Sequence, residues 1–462
     1  MPPAILALFA FVLLQLVVGC LAARSIRTAD DYLLAGRNLG PTLAAGSIFA
    51  TWFGSESCVG AAGTAYEEGV GWSSTEPFAY GLCLVLMGLL FAARLWRLRI
   101  TTLADFFAQR FGTSTERLAA VLLLPSSILW AAAQVRAFGH VVASNSSGAI
   151  EPDTAILIAA VVAVVYTAAG GLLADVYTDL VQAVVLVAGL AVLAVAVWRH
   201  TPADQAAAVP TVPLPHTAAP ASFWQVVETW AVPICGSLVA QEAISRSLAA
   251  RSAATARNAA LLGGGLYLAI GTIPLLMGLA AVRIVPGIED PEAVLPNLSR
   301  TLLPGWLNLV FAGALLAAIL STVDSCLLVA SSVMTRNLVP RRWRDRDSLL
   351  LARAATLASG GAAYVLARTD LNVHELVEEA SGFASAGVCV LAFVGCFGRM
   401  GRSLAANLAL VGGALPWLAG RHLLGDALAY PYLASLAGAV VGFVAGAVCE
   451  RGRGGLPGPA SD

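Results

Sequence analysis

Runs of about twenty apolar residues recur along the whole chain, separated by connections too short to form a domain of their own. A helix needs roughly 20 such residues to cross a bilayer, because each adds only about 1.5 Å towards a hydrocarbon thickness of about 30 Å. Inside that layer every backbone amide and carbonyl has to be satisfied by the chain itself, which leaves helices or a closed barrel. Runs of this length select helices. Thirteen are read from the sequence: residues 4–23, 41–62, 73–93, 118–141, 154–171, 177–198, 223–244, 258–282, 305–334, 349–367, 374–397, 403–421 and 429–449. Charged residues make up 12% of the chain, where a soluble domain carries about 25%. The expected class is therefore an all-α integral membrane protein of about 13 spans.

Charge placement gives the orientation. All 27 basic residues are Arg, and cytoplasmic connections of membrane proteins collect basic residues. With the N-terminus outside and the C-terminus cytoplasmic, 21 Arg fall on inner connections and five on outer ones. The absence of Lys points to a codon bias and a bacterial source, hence an inner (plasma) membrane. Met1-Pro2-Pro3 opens the first run without a basic segment or cleavage site, so that run is read as a retained span and not a signal peptide. Residues 199–222, with Pro202, Pro210, Pro213, Pro215 and Pro220, read as an external loop.

The eight cysteines form no CxxC pair, and the five histidines show no ligand spacing. A redox centre, a transition-metal site and a membrane-embedded enzyme are accordingly disfavoured. No catalytic residue, organic cofactor or nucleic-acid partner is expected. The partners expected are the lipid bilayer, a small solute and an ion.

Two spans carry interruptions. The second contains Ala50-Thr51-Trp52-Phe53-Gly54-Ser55-Glu56-Ser57, and the seventh contains Pro233-Ile234-Cys235-Gly236-Ser237 followed by Gln241 and Glu242. Freed backbone groups at membrane depth are tolerated where they face protein or a cavity, and an intramembrane acid marks function. Breaks five spans apart suit two five-helix inverted repeats. The chain then divides into 1–40, a first repeat at 41–198, the loop 199–222, a second repeat at 223–397, and two C-terminal spans at 398–462. A third polar feature lies in the ninth span, where Ala318, Ser321, Thr322 and Ser325 share one helical face, with Asp324 beside them. Small oxygen donors on one face suit a hard cation such as sodium.

In Gly170-Gly171-Leu172-Leu173-Ala174-Asp175-Val176-Tyr177-Thr178-Asp179-Leu180-Val181-Gln182 and in Ala317 through Ser332, the chain resembles the sodium/solute symporter family, which includes sodium–glucose, sodium–proline and choline transporters. Thr51-Trp52-Phe53-Gly54 and Trp130-Ala131-Ala132-Ala133 look most like the choline-transporter branch. The resemblance implies a LeuT-type fold and sodium-coupled import of a small organic solute by alternating access. It implies a sodium site from the carbonyls of Ala50, Phe53 and Ala318 and the hydroxyls of Ser321 and Thr322. Members with a second sodium use positions matching Asp179, Ser321, Asp324 and Ser325. Solute contacts are implied at Glu56 and Ser57, with Trp130 and Gln134 on the fourth span and Gly236 in the seventh.

Each residue has a plainer alternative. Ser321 and Thr322 suit helix-to-helix hydrogen bonds; Asp324 suits a pair with Arg136; Asp179 suits the start of a helix. Glu56 suits a cap on the broken span, Trp130 suits packing, and Arg136 near its helix end suits snorkelling. Glu242 and Arg246, four apart, suit an ordinary helical ion pair. Glu56 and Asp324 with Trp52, Trp72 and Trp130 favour an amino acid or other amine-bearing solute, although one aromatic position of choline-type relatives is Ala240 here. A monocarboxylate, proton coupling and a transporter-like sensor remain as alternatives.

Overall fold

The computed structural model describes residues 28–72, 74–146, 150–200, 222–340 and 348–452, together with residues 13, 17 and 26. The expected first span and most of the Pro-rich loop lie outside the described residues. Among the described residues the chain is helical throughout, apart from a single bridge between Leu39 and Ala250. Ten of its helices are long and apolar enough to cross a membrane.

The helices that build the centre are α1 (Pro41–Trp52), α2 (Ala61–Glu67), α3 (Phe78–Arg97), α4 (Thr113–Asn145) and α5 (Pro152–His200). They continue as α6 (Phe223–Ala231), α7 (Gln241–Leu248), α8 (Ala253–Ile284) and α9 (Gly305–Val333). After them come α10 (Ser348–Ala367), α11 (Val373–Gly382), α12 (Ser385–Phe397), α13 (Ser403–Ala419) and α14 (Pro431–Gly452). From Phe311 on, nearly every residue of α9 is buried, with α4, α5 and α10 packed around it. That explains its composition. A helix surrounded by helices cannot hold bulky residues on every side, and small or hydroxyl side chains let neighbours approach.

Both expected interruptions are present. Between α1 and α2 the helical ladder stops with Phe53 N–H donating to the Phe49 carbonyl (2.9 Å) and resumes with Cys58 N–H donating to that of Gly54 (3.3 Å). Between α6 and α7 a wide turn at Val232–Gly236 ends in non-helical backbone before Gln241. The sequence reading named two broken spans, and the structure adds a third. The span containing α11 and α12 opens at Phe383 and Ala384, where Ala384 is left-handed at φ 57°. No proline marks this break, so the local sequence carries little sign of it. It lies against Trp417 of α13, whose ring packs on Gly382.

The expected pair of spans at 154–171 and 177–198 falls within α5, which is two helices meeting at a kink. It turns at Gly171, where φ is 56° and an added Cβ would lie 2.5 Å from the Tyr32 ring. Only glycine adopts that backbone readily and clears that contact. Gly171→Val is expected to cost on the order of 1–3 kcal/mol from backbone strain alone. The check is a melting curve of purified protein in detergent, where the variant should unfold several degrees below the parent.

Candidate functional site

The hydroxyl face of α9 meets the interruption after α1. Thr322 Oγ1 donates to the Thr51 carbonyl (2.9 Å) and lies 3.4 Å from the carbonyl of Ala318. A carbonyl freed by the end of α1 is thus taken up by a side chain from a helix more than 250 positions later. Ala50 and Phe53 flank that turn, and Ala50, Phe53, Ala318, Ser321 and Thr322 are all buried. The segments named for the first sodium are adjacent, and their oxygen donors suit a hard cation.

The interruption is also held by α4. Ser55 N–H donates to Gln134 Oε1 (2.9 Å), and Gln134 Nε2 donates to Glu56 Oε2 (2.8 Å). Trp130 Nε1 donates to Glu56 Oε1 (3.2 Å), and its ring stands edge-on to that of Trp52 with centroids 5.0 Å apart. Gly54 is the crossing point: a Cβ there would lie 2.8 Å from both Thr322 Oγ1 and Glu56 Oε2, and 2.9 Å from Gln134 Oε1. Residues assigned to ion and to solute therefore meet at one glycine. Ser57 hydrogen-bonds the hydroxyl of Tyr267 on α8, which donates to Glu76 at 2.7 Å. Neither Tyr267 nor Glu76 was singled out from the sequence. The acid just ahead of α3 was the available signal.

A small cavity of about 30 Å³ lies beside Trp130, lined by Ser127, Gly236, Glu242, Ser381 and Ser385 among others. Of the residues named for solute, Trp130 and Gly236 border it, whereas Glu56, Ser57 and Gln134 do not. A space of that size takes water and not an organic molecule. Admitting a solute requires the interrupted helices around it to move. Trp72 stands apart from this group, exposed ahead of α3, with its carbonyl accepting from Trp230 Nε1 (2.7 Å).

Several charge assignments change. Glu242 and Arg246 form no side-chain pair: Glu242 Oε1 accepts from Ser127 Oγ (2.7 Å), and Arg246 Nη1 donates to the Glu242 backbone carbonyl (3.2 Å). Helical spacing allowed a pair, but a helix buried on all sides offers each side chain a better partner on a neighbour. Asp324 does not meet Arg136; its Oδ1 accepts from Thr167 Oγ1 (2.6 Å), while Arg136 Nη1 donates to the Thr369 carbonyl (2.7 Å). Arg136 therefore ties α4 to the end of α10 and does not snorkel. Asp179 lies inside α5, fully buried, and accepts from the hydroxyls of Ser321 and Ser47. Asp175, one turn earlier, is the missed member: its Oδ2 accepts from Arg246 Nη2.

The family model described as "Sodium:solute symporter family" matches residues 32–412. A high-affinity choline transporter 1 of Drosophila melanogaster is 26% identical over 397 residues, covering 80% of this chain and 63% of its own length. The chain thus spans less than two thirds of that relative. A high-affinity proline transporter of Bacillus subtilis is 27% identical over 377 residues, covering 76% of this chain and 78% of its own. Among solved structures, a substrate-bound, outward-open sodium-coupled sialic acid symporter superposes with a TM-score of 0.78 at 17% identity, covering 97% of each chain. At that identity the likeness concerns the fold.

Gln134→Met is expected to leave the Ser55 amide and the Glu56 carboxylate each short of a partner. Orphaned buried groups cost about 1–3 kcal/mol apiece. Hydrogen exchange followed by mass spectrometry should show faster exchange confined to residues 50–60, with the remainder of α4 protected as before.

Proposed function

The chain belongs to the sodium:solute symporter family, and on that premise we propose that it is a sodium-coupled secondary symporter importing a small amine-bearing solute. The observation that carries this is the bond from Thr322 to the Thr51 carbonyl, which joins the hydroxyl face of α9 to the interrupted turn after α1. Sodium binds between these elements, held by the carbonyls of Ala50, Phe53 and Ala318 and the hydroxyls of Ser321 and Thr322. It replaces the Thr322 hydrogen bond with ion coordination and fastens the turn to α9. That favours the outward-facing, solute-ready arrangement. Solute enters beside Trp130 and Gly236, with Glu56 and Ser57 across the interruption. The surrounding bundle then rocks to release solute and ion inward.

The acid and the two tryptophans Trp52 and Trp130, packed edge to face, are the support for an amine. A carboxylate attracts the ammonium charge, and indole faces attract it through the ring quadrupole. An ion entering down 100 mV releases about 2.3 kcal/mol, enough for roughly fifty-fold accumulation of a neutral solute.

The finer architecture belongs to the same proposal: thirteen spans in two inverted five-helix repeats, 41–198 and 223–397, of the LeuT type. Ten helices qualify outright; α1 is too short to count without its continuation, α5 bends at Gly171 and counts as two crossings, and the apolar run at residues 4–23 is read from its sequence as one more. The Arg distribution supports an outer N-terminus and a cytoplasmic C-terminus in a bacterial inner membrane.

The test is uptake of radiolabelled choline, L-proline and a panel of amino acids into proteoliposomes with and without an inward sodium gradient. Accumulation of one of these that requires the gradient is expected. Uptake that follows pH and is indifferent to sodium would overturn sodium coupling. With the transported solute saturating, Thr322→Ala should raise the sodium concentration for half-maximal uptake by about tenfold, the loss of roughly 1.4 kcal/mol of coordination. Solute affinity at saturating sodium should change much less.

A further inference from the structure

A second oxygen cluster lies one turn along α9 from the proposed sodium site, and it already contains a cation. Arg246 of α7 is completely buried, at 0% exposure. Its Nη2 donates to Asp175 Oδ2 and to Ser325 Oγ, its Nε donates to Ser47 Oγ (3.1 Å), and Asp179 Oδ2 lies 3.6 Å from Nη2. Arginine keeps its charge at any depth, and its planar fork of donors matches carboxylate and hydroxyl oxygens spread around one point.

Asp179, Ser321, Asp324 and Ser325, the residues the family resemblance offers to a second sodium, each already hold a partner from this chain. Ser325 Oγ donates to the Ser321 carbonyl (2.6 Å), so the Thr51 hydroxyl 3.1 Å away must donate to it, as Arg246 does. A hydroxyl has two acceptor lone pairs; both are used. Asp179 receives Ser321 on one oxygen and Ser47 on the other, with Arg246 beside it. Asp324 accepts from Thr167 on Oδ1, and its Oδ2 alone in this set is buried without a hydrogen-bond partner. A sodium ion here would find Ser325 closed to it and a fixed positive charge in contact with two of its intended ligands.

Resting on the sodium-coupled reading above, we propose that Arg246 permanently fills the place of a second coupling ion, so that the protein binds and carries one sodium per cycle. The guanidinium does structurally what that ion would do, tying α7 to α5, α9 and α1. Being tethered, it adds nothing to the charge moved.

The experiment is the binding isotherm of ²²Na⁺ to the purified full-length protein in detergent, with bound ion counted per polypeptide, and needs no knowledge of the solute. One sodium per chain is expected. Two per chain would overturn the proposal while leaving sodium coupling intact, and none would overturn sodium coupling and this inference with it. Arg246→Gln, provided it elutes as a single symmetric species, should raise the count to two; a folded R246Q protein that still binds one would also count against the assignment. Arg246→Lys, which retains a tethered charge, should stay at one. Should R246Q fail to fold, the native isotherm alone decides between one and two.

Discussion

A helix interrupted inside a bilayer exposes carbonyls and amides that water cannot reach, and the rest of this structure is arranged to satisfy them. The break at residues 53–55 is held by two helices. Thr322 of α9 takes the Thr51 carbonyl, and Gln134 of α4 takes the Ser55 amide. Because the two partners come from two helices packed on each other, the interrupted turn is fixed relative to both at once. The same contacts bring a cation-suited set of oxygens and a buried acid to within reach of one glycine. In the proposed mechanism this contact would be the short route between ion and solute, since Thr322 holds the turn that carries Glu56.

The buried charges follow a second rule. A charge withdrawn from water is tolerated where it is paired and hydrogen-bonded. Asp175 and Asp179 of α5 and Arg246 of α7 are paired in this way, with Ser47 of α1 and Ser321 and Ser325 of α9 adding hydrogen bonds. Such a cluster fixes the relative positions of α5, α7 and α9 more sharply than apolar packing would, since each bond has a direction. It also lies directly against the proposed ion site through Ser321, which belongs to both.

Much of the scaffold was legible without coordinates. Membrane crossing depends on length and apolarity, which are local properties, and the breaks at Gly54 and at Pro233–Gly236 show in the composition of single spans. Hydroxyl side chains at three- and four-residue spacing on α9 announced a polar face. The third break, at Phe383 and Ala384, was not legible, because nothing local forces it; the packing of Trp417 on Gly382 accompanies it. Nor were the partners of the buried acids legible. Glu242 and Arg246 have the spacing of an ion pair, yet each turns to a different helix.

By itself the sequence determined that this is a many-helix membrane protein, where two of its helices open, and which side chains have the chemistry for an alkali cation. Those are matters of composition and period along one helix. Only the tertiary structure decided which polar groups meet: that Gln134 bridges Ser55 and Glu56, and that Asp175 and not Glu242 takes the charge of Arg246. The reason is that a buried side chain is surrounded by several helices distant in sequence, and its partner is chosen by the direction and distance at which those helices cross.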